Sequence, residues 1–117
     1  MTDLPLKLGV RFFRSETGNE PVREWLRNLP SESKKRIGAD IKTLQYGWPI
    51  GMPVVRKLEM GLWEIRTHLE DGIARTFFTV VIDEIVLLHG FVKKNQKTPA
   101  SDLLLAKRRK ADIRGGR

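Results

Sequence analysis

The segment HGFVKKNQKTP, residues 89–99, joins a hydrophobic strand to a basic and amide-rich stretch that precedes a predicted helix. Its histidine is the side-chain type that changes charge near neutral pH, and its three lysines are of the type that binds phosphate as point charges. Such a run is most often a solvated strand end, because exposed charge runs are common on protein surfaces. The alternative is a surface that binds the backbone of a polyanion. The segment alone leaves both interpretations open.

Two arginines on neighbouring predicted strands extend this possible surface. Alternation in LWEIRTHL directs Glu64 and Arg66 outward, and Arg75 falls on one side of the next strand, IARTFFTVV. If these strands pair in sequence order, both arginines converge with His89 and the basic run 93–97 on one open face or rim of the sheet. Such a concave basic face suits a phosphodiester backbone. The simpler alternative is a half-exposed antiparallel sheet with charges on its outer side.

The composition limits the classes of function. Over 117 residues the chain has 22 lysines and arginines against 14 aspartates and glutamates, a net charge of +8. Polyanions or acidic proteins are therefore the expected partners. The chain has no cysteine and only two histidines, which excludes a disulfide framework and a thiolate metal site. We expect neither a metal nor a cofactor.

The length predicts one domain across residues 1–117. No stretch approaches the roughly 18 consecutive apolar residues of a membrane span. The N-terminal sequence MTDLPLKLGV lacks the basic and apolar regions of a signal peptide. We therefore expect a cytoplasmic protein with no membrane partner.

The order of the predicted elements indicates an α+β fold. Residues 6–13 are typical of a first strand, Pro21 begins a short helix, and a second helix ends at Gly47. Four strands follow with connections too short for parallel crossovers, which predicts a four-stranded antiparallel meander. Thr98 caps a short C-terminal helix, and the basic tail KRRKADIRGGR is expected to fray. We expect the helices to pack on one face of the sheet.

Three motifs on successive predicted strands, KLEMGLWEIR, ARTFFTVV and LLHGFVKKNQKTP, follow the strand and two helices in this order. Together they resemble the RelE/ParE toxin superfamily, in particular its HigB-like branch related to phage-derived proteins. The resemblance covers nearly the whole chain and implies a RelE-like fold and the toxin half of a type II toxin–antitoxin system. Toxins of this kind enter the ribosomal A site and cut messenger RNA. The implied partners are messenger RNA, ribosomal RNA and a cognate antitoxin, often a helix-turn-helix protein.

The resemblance also implies roles for individual residues. Metal-independent RNA cleavage needs a base for the ribose 2′-hydroxyl, cations for the charge that builds on phosphorus, and an acid for the 5′-oxygen. Arg66 and Arg75 match basic strand positions and are assigned to phosphate positioning and charge stabilisation. Alanine at either arginine is expected to abolish cleavage with little loss of stability. Lys93 and Lys94 match the basic pair that ends the last strand, where either lysine is a candidate proton shuttle. The remaining implied RNA contacts are Lys57, His89, Gln96 and Lys97.

Several alternatives stay open at this point. Glu64 is either the base or the neutralising partner of Arg66, and we favour the second role because a neighbouring arginine makes a carboxylate a poorer base. Gln96 and Lys97 either contact RNA or lead into the Thr98 cap. The function itself has two alternatives. One is a ParE-like inhibitor of DNA gyrase without nuclease activity, and the other is a non-catalytic RNA-binding protein with steep salt dependence.

Overall fold

The computed structural model describes residues 7–93 and 99–114 of the chain. The elements within these ranges are β1 (Gly9–Phe12), α1 (Pro21–Arg27), α2 (Ser31–Gly47), β2 (Val55–Glu59), β3 (Leu62–Leu69), β4 (Gly72–Val81), β5 (Glu84–Lys93) and α3 (Ala100–Arg114). This order confirms the predicted α+β fold. Helix α3 runs for 15 residues, because the basic stretch that was expected to fray continues the helix. None of the helices in the described ranges is long and apolar enough to cross a membrane.

The strands form one mixed sheet in the order β1-β5-β4-β3-β2. Strands β2 to β5 pair antiparallel with their neighbours in chain order, which confirms the predicted meander. Strand β1 pairs in parallel with β5, from Gly9 opposite Glu84 to Phe12 opposite Leu87. The chain between these two strands, which includes α1 and α2, supplies the long connection that parallel neighbours require. Strand β4 is the third of the five strands in this order and lies at the centre of the sheet.

Helices α1 and α2 cover one face of the sheet. Their apolar residues recur at helical spacing and pack on the strand side chains that point to the same side. The buried residues of this layer are Val22, Ile37, Ile41 and Leu44 from the helices and Val55, Ile65, Ala74, Phe78, Ile85 and Leu87 from the strands. The hydroxyl of Thr67 donates a hydrogen bond of 2.7 Å to the carboxylate of Asp40 and so joins β3 to α2.

Helix α3 packs on the opposite face, so the expectation that all helices share one face is wrong. Ala106 is buried against Phe77 and Leu88. Leu103 and Ile113 are partly buried beside it. The physical reason lies in β4 and β5, whose consecutive residues are buried on both sides. A central strand that is apolar on both faces needs a covering layer on each. The result is a layer of two helices, a sheet and a layer of one helix.

A β-bulge in β5 turns His89 toward α3. Phe77 lies opposite His89 and Phe78 lies opposite Leu87, so Leu88 is an extra residue between the two pairs. A bulge of this kind changes the direction in which the following side chains point. Leu88 and His89 accordingly both face α3, one in the apolar layer and the other in a hydrogen bond to the helix. The bulge thus places an imidazole on the face that also carries the arginines.

Candidate functional site

The pairing register arranges the side chains that face α3 in rows across β2 to β5. Directly paired residues of an antiparallel sheet point to the same side, so each row can be followed from strand to strand. The basic side chains concentrate toward the end of the sheet that carries the β3–β4 turn. In order toward this turn, the rows are Arg56, Glu64, Phe77 and His89; then Arg66, Arg75 and Phe91; then His68, Ile73 and Lys93.

A buried ion pair joins the first two rows. Nη1 of Arg75 donates hydrogen bonds to both carboxylate oxygens of Glu64, at 3.0 and 3.3 Å, and both side chains are fully buried. Nε of Arg66 lies 3.9 Å from one oxygen of the same carboxylate. Glu64 is therefore shared by two guanidinium groups. Because both of its oxygens accept from Arg75, this geometry favours the neutralising role for Glu64 over the role of a base.

Of the two arginine side chains, only that of Arg66 is partly exposed. Its side chain is 13% exposed, whereas that of Arg75 is fully buried. Arg66 lines an open groove of about 370 Å³ at the edge of the sheet, beside Arg36 and Asp40 of α2. Strand β2 begins at Val55, which pairs with Ile65, so residues 67–69 of β3 extend beyond the end of β2. The groove lies at this edge of β3. Arg66 is therefore the one of the two arginines that a phosphate group could meet, while Arg75 holds the Glu64 carboxylate behind it.

His89 forms the second polar contact of this face. Its Nε2 lies 2.6 Å from Oδ1 of Asp102, in the first turn of α3. The imidazole ring lies edge-on to Phe77, with 6.0 Å between ring centroids, and 5.5 Å from the ring of Phe91. Packing against two aromatic rings and a hydrogen bond to the helix together fix the orientation of the imidazole. The side chains of His89 and Asp102 are 16% and 24% exposed, so the pair lies at the margin of the α3 contact.

The middle of α3 is held by a half-buried arginine. Nη1 of Arg109 donates a hydrogen bond of 2.7 Å to the backbone carbonyl of Leu88, the bulge residue. The Arg109 guanidinium also lies over the ring of Phe13, 5.5 Å from its centroid. Burial lowers the pKa of Arg109 from its ordinary value, because an apolar environment disfavours the charged form. The contact fixes α3 at the point where the bulge sets the direction of β5.

The C-terminal half of α3 is held by a carboxylate at the end of β2. Glu59 accepts from Lys107 and Lys110, at 3.2 and 3.1 Å. Lys110 also donates to the carbonyl of Met60 at 2.9 Å. The hydrogen bonds from the two lysines lower the pKa of Glu59 below its ordinary value. Lys107, Arg109 and Lys110 therefore have structural partners, and the helix is fixed at both ends.

The structure brings together four of the residues predicted from the sequence. Arg66, Arg75, His89 and Lys93 face the same side of the sheet. Lys57 lies on the other face, because it pairs with Trp63, which belongs to the layer under α1 and α2. Arg56 points to the α3 side in its place, opposite Glu64. The other predicted residues, Lys94, Gln96 and Lys97, and the predicted cap Thr98 lie outside the described residues.

Asp102 and Arg56 are site residues that sequence reasoning missed. Asp102 was visible as an acidic residue in the first turn of a helix, a position that also stabilises the helix dipole. Its contact with His89 follows from the packing of α3 on the second face and from the bulge, neither of which has a local sequence signal. Arg56 and Lys57 are adjacent, and alternation shows that they point to opposite faces without showing which of them faces α3.

The residues 7–93 and 99–114 contain no group of three or more histidines, cysteines, aspartates or glutamates placed to hold a metal ion. The groups that the face offers to a ligand are guanidinium, imidazole, carboxylate and ammonium.

The fold and site define a small α+β protein in which a partly exposed arginine and a carboxylate-bonded histidine share the face under a C-terminal helix. Residues 24–111 match the family model described as phage derived protein Gp49-like (DUF891), and the chain belongs to this family. The matched range extends from α1 into α3, so it includes strands β2 to β5 and Asp102. A search among curated proteins found no match to the chain.

Proposed function

We propose that the protein is the toxin of a type II toxin–antitoxin system, of the HigB-like branch of the RelE/ParE superfamily, and that it cleaves messenger RNA on the ribosome. Membership of the phage-derived Gp49-like family supports the toxin assignment. The observation that carries the nuclease assignment is the placement of Arg66, Arg75, His89 and Lys93 on one side of the sheet, with Arg66 partly exposed while Arg75 and Glu64 are buried. A net charge of +8 supports an RNA substrate.

The proposed reaction is attack of the ribose 2′-oxygen on the adjacent phosphorus. The bond from phosphorus to the 5′-oxygen breaks, and the products are a 2′,3′-cyclic phosphate and a 5′-hydroxyl. The reaction therefore needs one group that takes a proton from the 2′-hydroxyl and one that gives a proton to the 5′-oxygen. It also needs cations at the phosphate oxygens, where negative charge builds up in the transition state.

The residues on the α3 face fit these requirements. Arg66 contacts the phosphate, and Arg75 holds the Glu64 carboxylate, so that the cluster of two guanidinium groups and one carboxylate keeps a net positive charge. His89 is the base, because its imidazole is oriented by packing and by a carboxylate. Lys93, on the row beyond Arg66, is the candidate acid for the 5′-oxygen. Lys94, Gln96 and Lys97 keep their proposed roles as a second proton shuttle and as RNA contacts, and Lys57 contacts RNA only beyond this face.

The proposed partners follow from the same assignment. A cognate antitoxin, of the helix-turn-helix class in this branch, would keep the toxin inactive, and the toxin would act on messenger RNA in the ribosomal A site in contact with ribosomal RNA. The proposed location is the cytoplasm, where translating ribosomes are found. Neither a cofactor nor a membrane is part of the proposal.

The burial of Arg75 favours a second candidate function, RNA binding without cleavage. An arginine that is fully buried against a carboxylate is what a purely structural ion pair requires. In that case the exposed basic side chains would bind the RNA backbone, and the RNA would stay intact. The nuclease proposal differs from this alternative in requiring a chemical step at Arg66 and His89.

The test is primer extension on a defined messenger RNA, with and without translating ribosomes, after addition of the purified protein. Arg66→Ala is the informative variant, because it leaves the Glu64–Arg75 pair intact and the fold with it. Arg27→Ala, on the exposed surface of α1, is the matched control. We expect cuts only on ribosomes, a loss of about 100-fold or more in Arg66→Ala, and none in the control.

Two results would overturn the proposal in different ways. Cuts on naked RNA would make the protein a ribosome-independent ribonuclease. Intact RNA in every lane, with a folded protein, would exclude cleavage. Inhibition of gyrase supercoiling and salt-dependent RNA binding would then distinguish the ParE-like alternative from the RNA-binding one.

A further inference from the structure

We infer that Asp102 is a positioning residue that acts through His89, fixing the imidazole so that Nδ1 is the atom that takes the proton from the substrate. This inference rests on the proposed function, and it assigns the α3 helix a part in the chemistry. The observation behind it is the contact of 2.6 Å between Nε2 of His89 and Oδ1 of Asp102. The two residues are 13 positions apart and come from different elements, β5 and α3.

The chemistry of the two groups determines the direction of this hydrogen bond. A carboxylate has only acceptor oxygens, and a neutral imidazole has one N–H and one acceptor nitrogen. The N–H of a neutral His89 must therefore be on Nε2, where it donates to Asp102. The lone pair is then on Nδ1, which is the nitrogen that can accept a proton. A carboxylate at this distance also stabilises the imidazolium that forms after proton transfer.

The surroundings of the ring keep this arrangement fixed. Phe77 lies edge-on to the imidazole and Phe91 lies on the next row of the same strand face. The bulge at Leu88 holds the backbone of His89 in the orientation that the contact needs. The side chain of His89 is 16% exposed, so it is not fully enclosed by its neighbours.

Docking of α3 does not depend on this bond alone. Arg109 bonds the carbonyl of Leu88, Glu59 holds the C-terminal half, and Ala106 is buried in the apolar layer. A variant at Asp102 is therefore expected to keep the helix in place. This independence allows the positioning role to be separated from a structural one.

The first experiment detects the tautomer directly. Nitrogen-15 NMR of the imidazole is measured in a His68→Gln background, so that His89 is the one histidine of the chain. We expect the Nε2–H tautomer in this background and in the control Asp112→Asn, a change at an exposed position of the same helix. In Asp102→Asn the amide group can donate to Nε2, so the Nδ1–H tautomer should appear. An Nδ1–H tautomer before the change, or an unchanged spectrum after it, would overturn the inference.

The second experiment is a double-mutant cycle on ribosome-dependent cleavage, with Asp102→Asn, His89→Gln and both. We expect Asp102→Asn to lower kcat by about 10- to 100-fold with KM unchanged, since it alters proton transfer and not binding. In the His89→Gln background the same change should have no further effect, because Asp102 acts through His89.

The outcomes separate the two proposals. Suppose that the wild type is active. If Asp102→Asn then cleaves normally, or if the activity losses of Asp102→Asn and His89→Gln multiply in the double variant, Asp102 has no role through His89. A wild type that cuts no RNA would instead overturn the proposed function, and the catalytic role of His89 with it. Thermal unfolding of the wild type and of each variant checks that the proteins whose activities are compared are folded.

Discussion

Glu64 accepts two hydrogen bonds from a single guanidinium nitrogen of Arg75, at 3.0 and 3.3 Å, in a position where neither side chain is exposed. The two residues come from neighbouring strands, and Arg66 shares the same carboxylate. Moving two charges out of water has a large desolvation cost, and the pair is stable only while each charge balances the other. The cluster therefore couples the stability of the sheet to the arrangement of its arginines.

Glu64→Gln is expected to destabilise the protein by about 3–5 kcal/mol, because it removes the carboxylate that balances the buried charge of Arg75. Urea unfolding followed by tryptophan fluorescence measures the effect. Glu24→Gln, at an exposed position of α1, should change the free energy of unfolding by no more than about 0.5 kcal/mol. Equal effects of the two changes would mean that the Glu64–Arg75 pair is solvated. The same burial predicts that Arg75→Ala also lowers the free energy of unfolding. The expectation that alanine causes little loss of stability therefore applies to Arg66 alone.

Two glycines should respond to alanine with opposite signs. A methyl group at Gly90 would overlap the ring of Trp25, which packs on the backbone of β5 at this point. We expect Gly90→Ala to lower the free energy of unfolding by about 1–3 kcal/mol. Gly38 lies in α2 with no atom within 4 Å of an added methyl group, so Gly38→Ala should gain up to about 1 kcal/mol from helix propensity. A stabilising Gly90→Ala would contradict the α1–β5 contact.

Ile82 has a strained backbone in the turn between β4 and β5. Its φ is 58°, which is rare for a β-branched residue, and its side chain is 94% exposed. Ile82→Asn should therefore raise stability by about 1 kcal/mol, because asparagine adopts this conformation more readily and no buried area is lost. Ile82→Val keeps the β-branch and should give no gain. Thermal unfolding of the two variants checks the difference, and an equal response would show that the backbone strain is absent.

The meander and the α+β order could be predicted because they depend on local signals. Connections of two residues, such as Met60-Gly61, exclude parallel crossovers wherever the rest of the chain lies. The division of β3 into two sides was predicted in the same way, but the expectation that Glu64 and Arg66 point outward is wrong. Glu64 is fully buried and the Arg66 side chain is only 13% exposed, because this side of the sheet is the one that α3 covers. The meander and the division of β3 into two sides are fixed by residues adjacent in sequence.

The remaining features depend on long-range packing. The side of the sheet that α3 covers is decided by the second apolar face of β4 and β5, and α3 itself carries no signal for it. The direction of His89 depends on the bulge at Leu88, which is a property of the β4–β5 register. The choice between Arg56 and Lys57 depends on the pairing of β2 with β3. Asp102 could be connected to His89 only after all of these were known.

The ion pairs of Glu59 with two lysines of α3 should contribute to the stability of the protein in a pH-dependent way. Hydrogen bonds from Lys110 and Lys107 lower its pKa below the ordinary 4.5, so the carboxylate binds protons less readily in the folded state than in the unfolded state. Its contribution is therefore fully present above pH 4.5 and is lost as the pH falls through the folded pKa. Glu59→Gln should have a lower Tm than the wild type near neutral pH, and this difference should shrink toward zero in acid. Glu70→Gln, at an exposed position of the β3–β4 turn, is the control and should show no such convergence. A difference in Tm that stays constant or widens as the pH falls would contradict the role of Glu59 in holding α3.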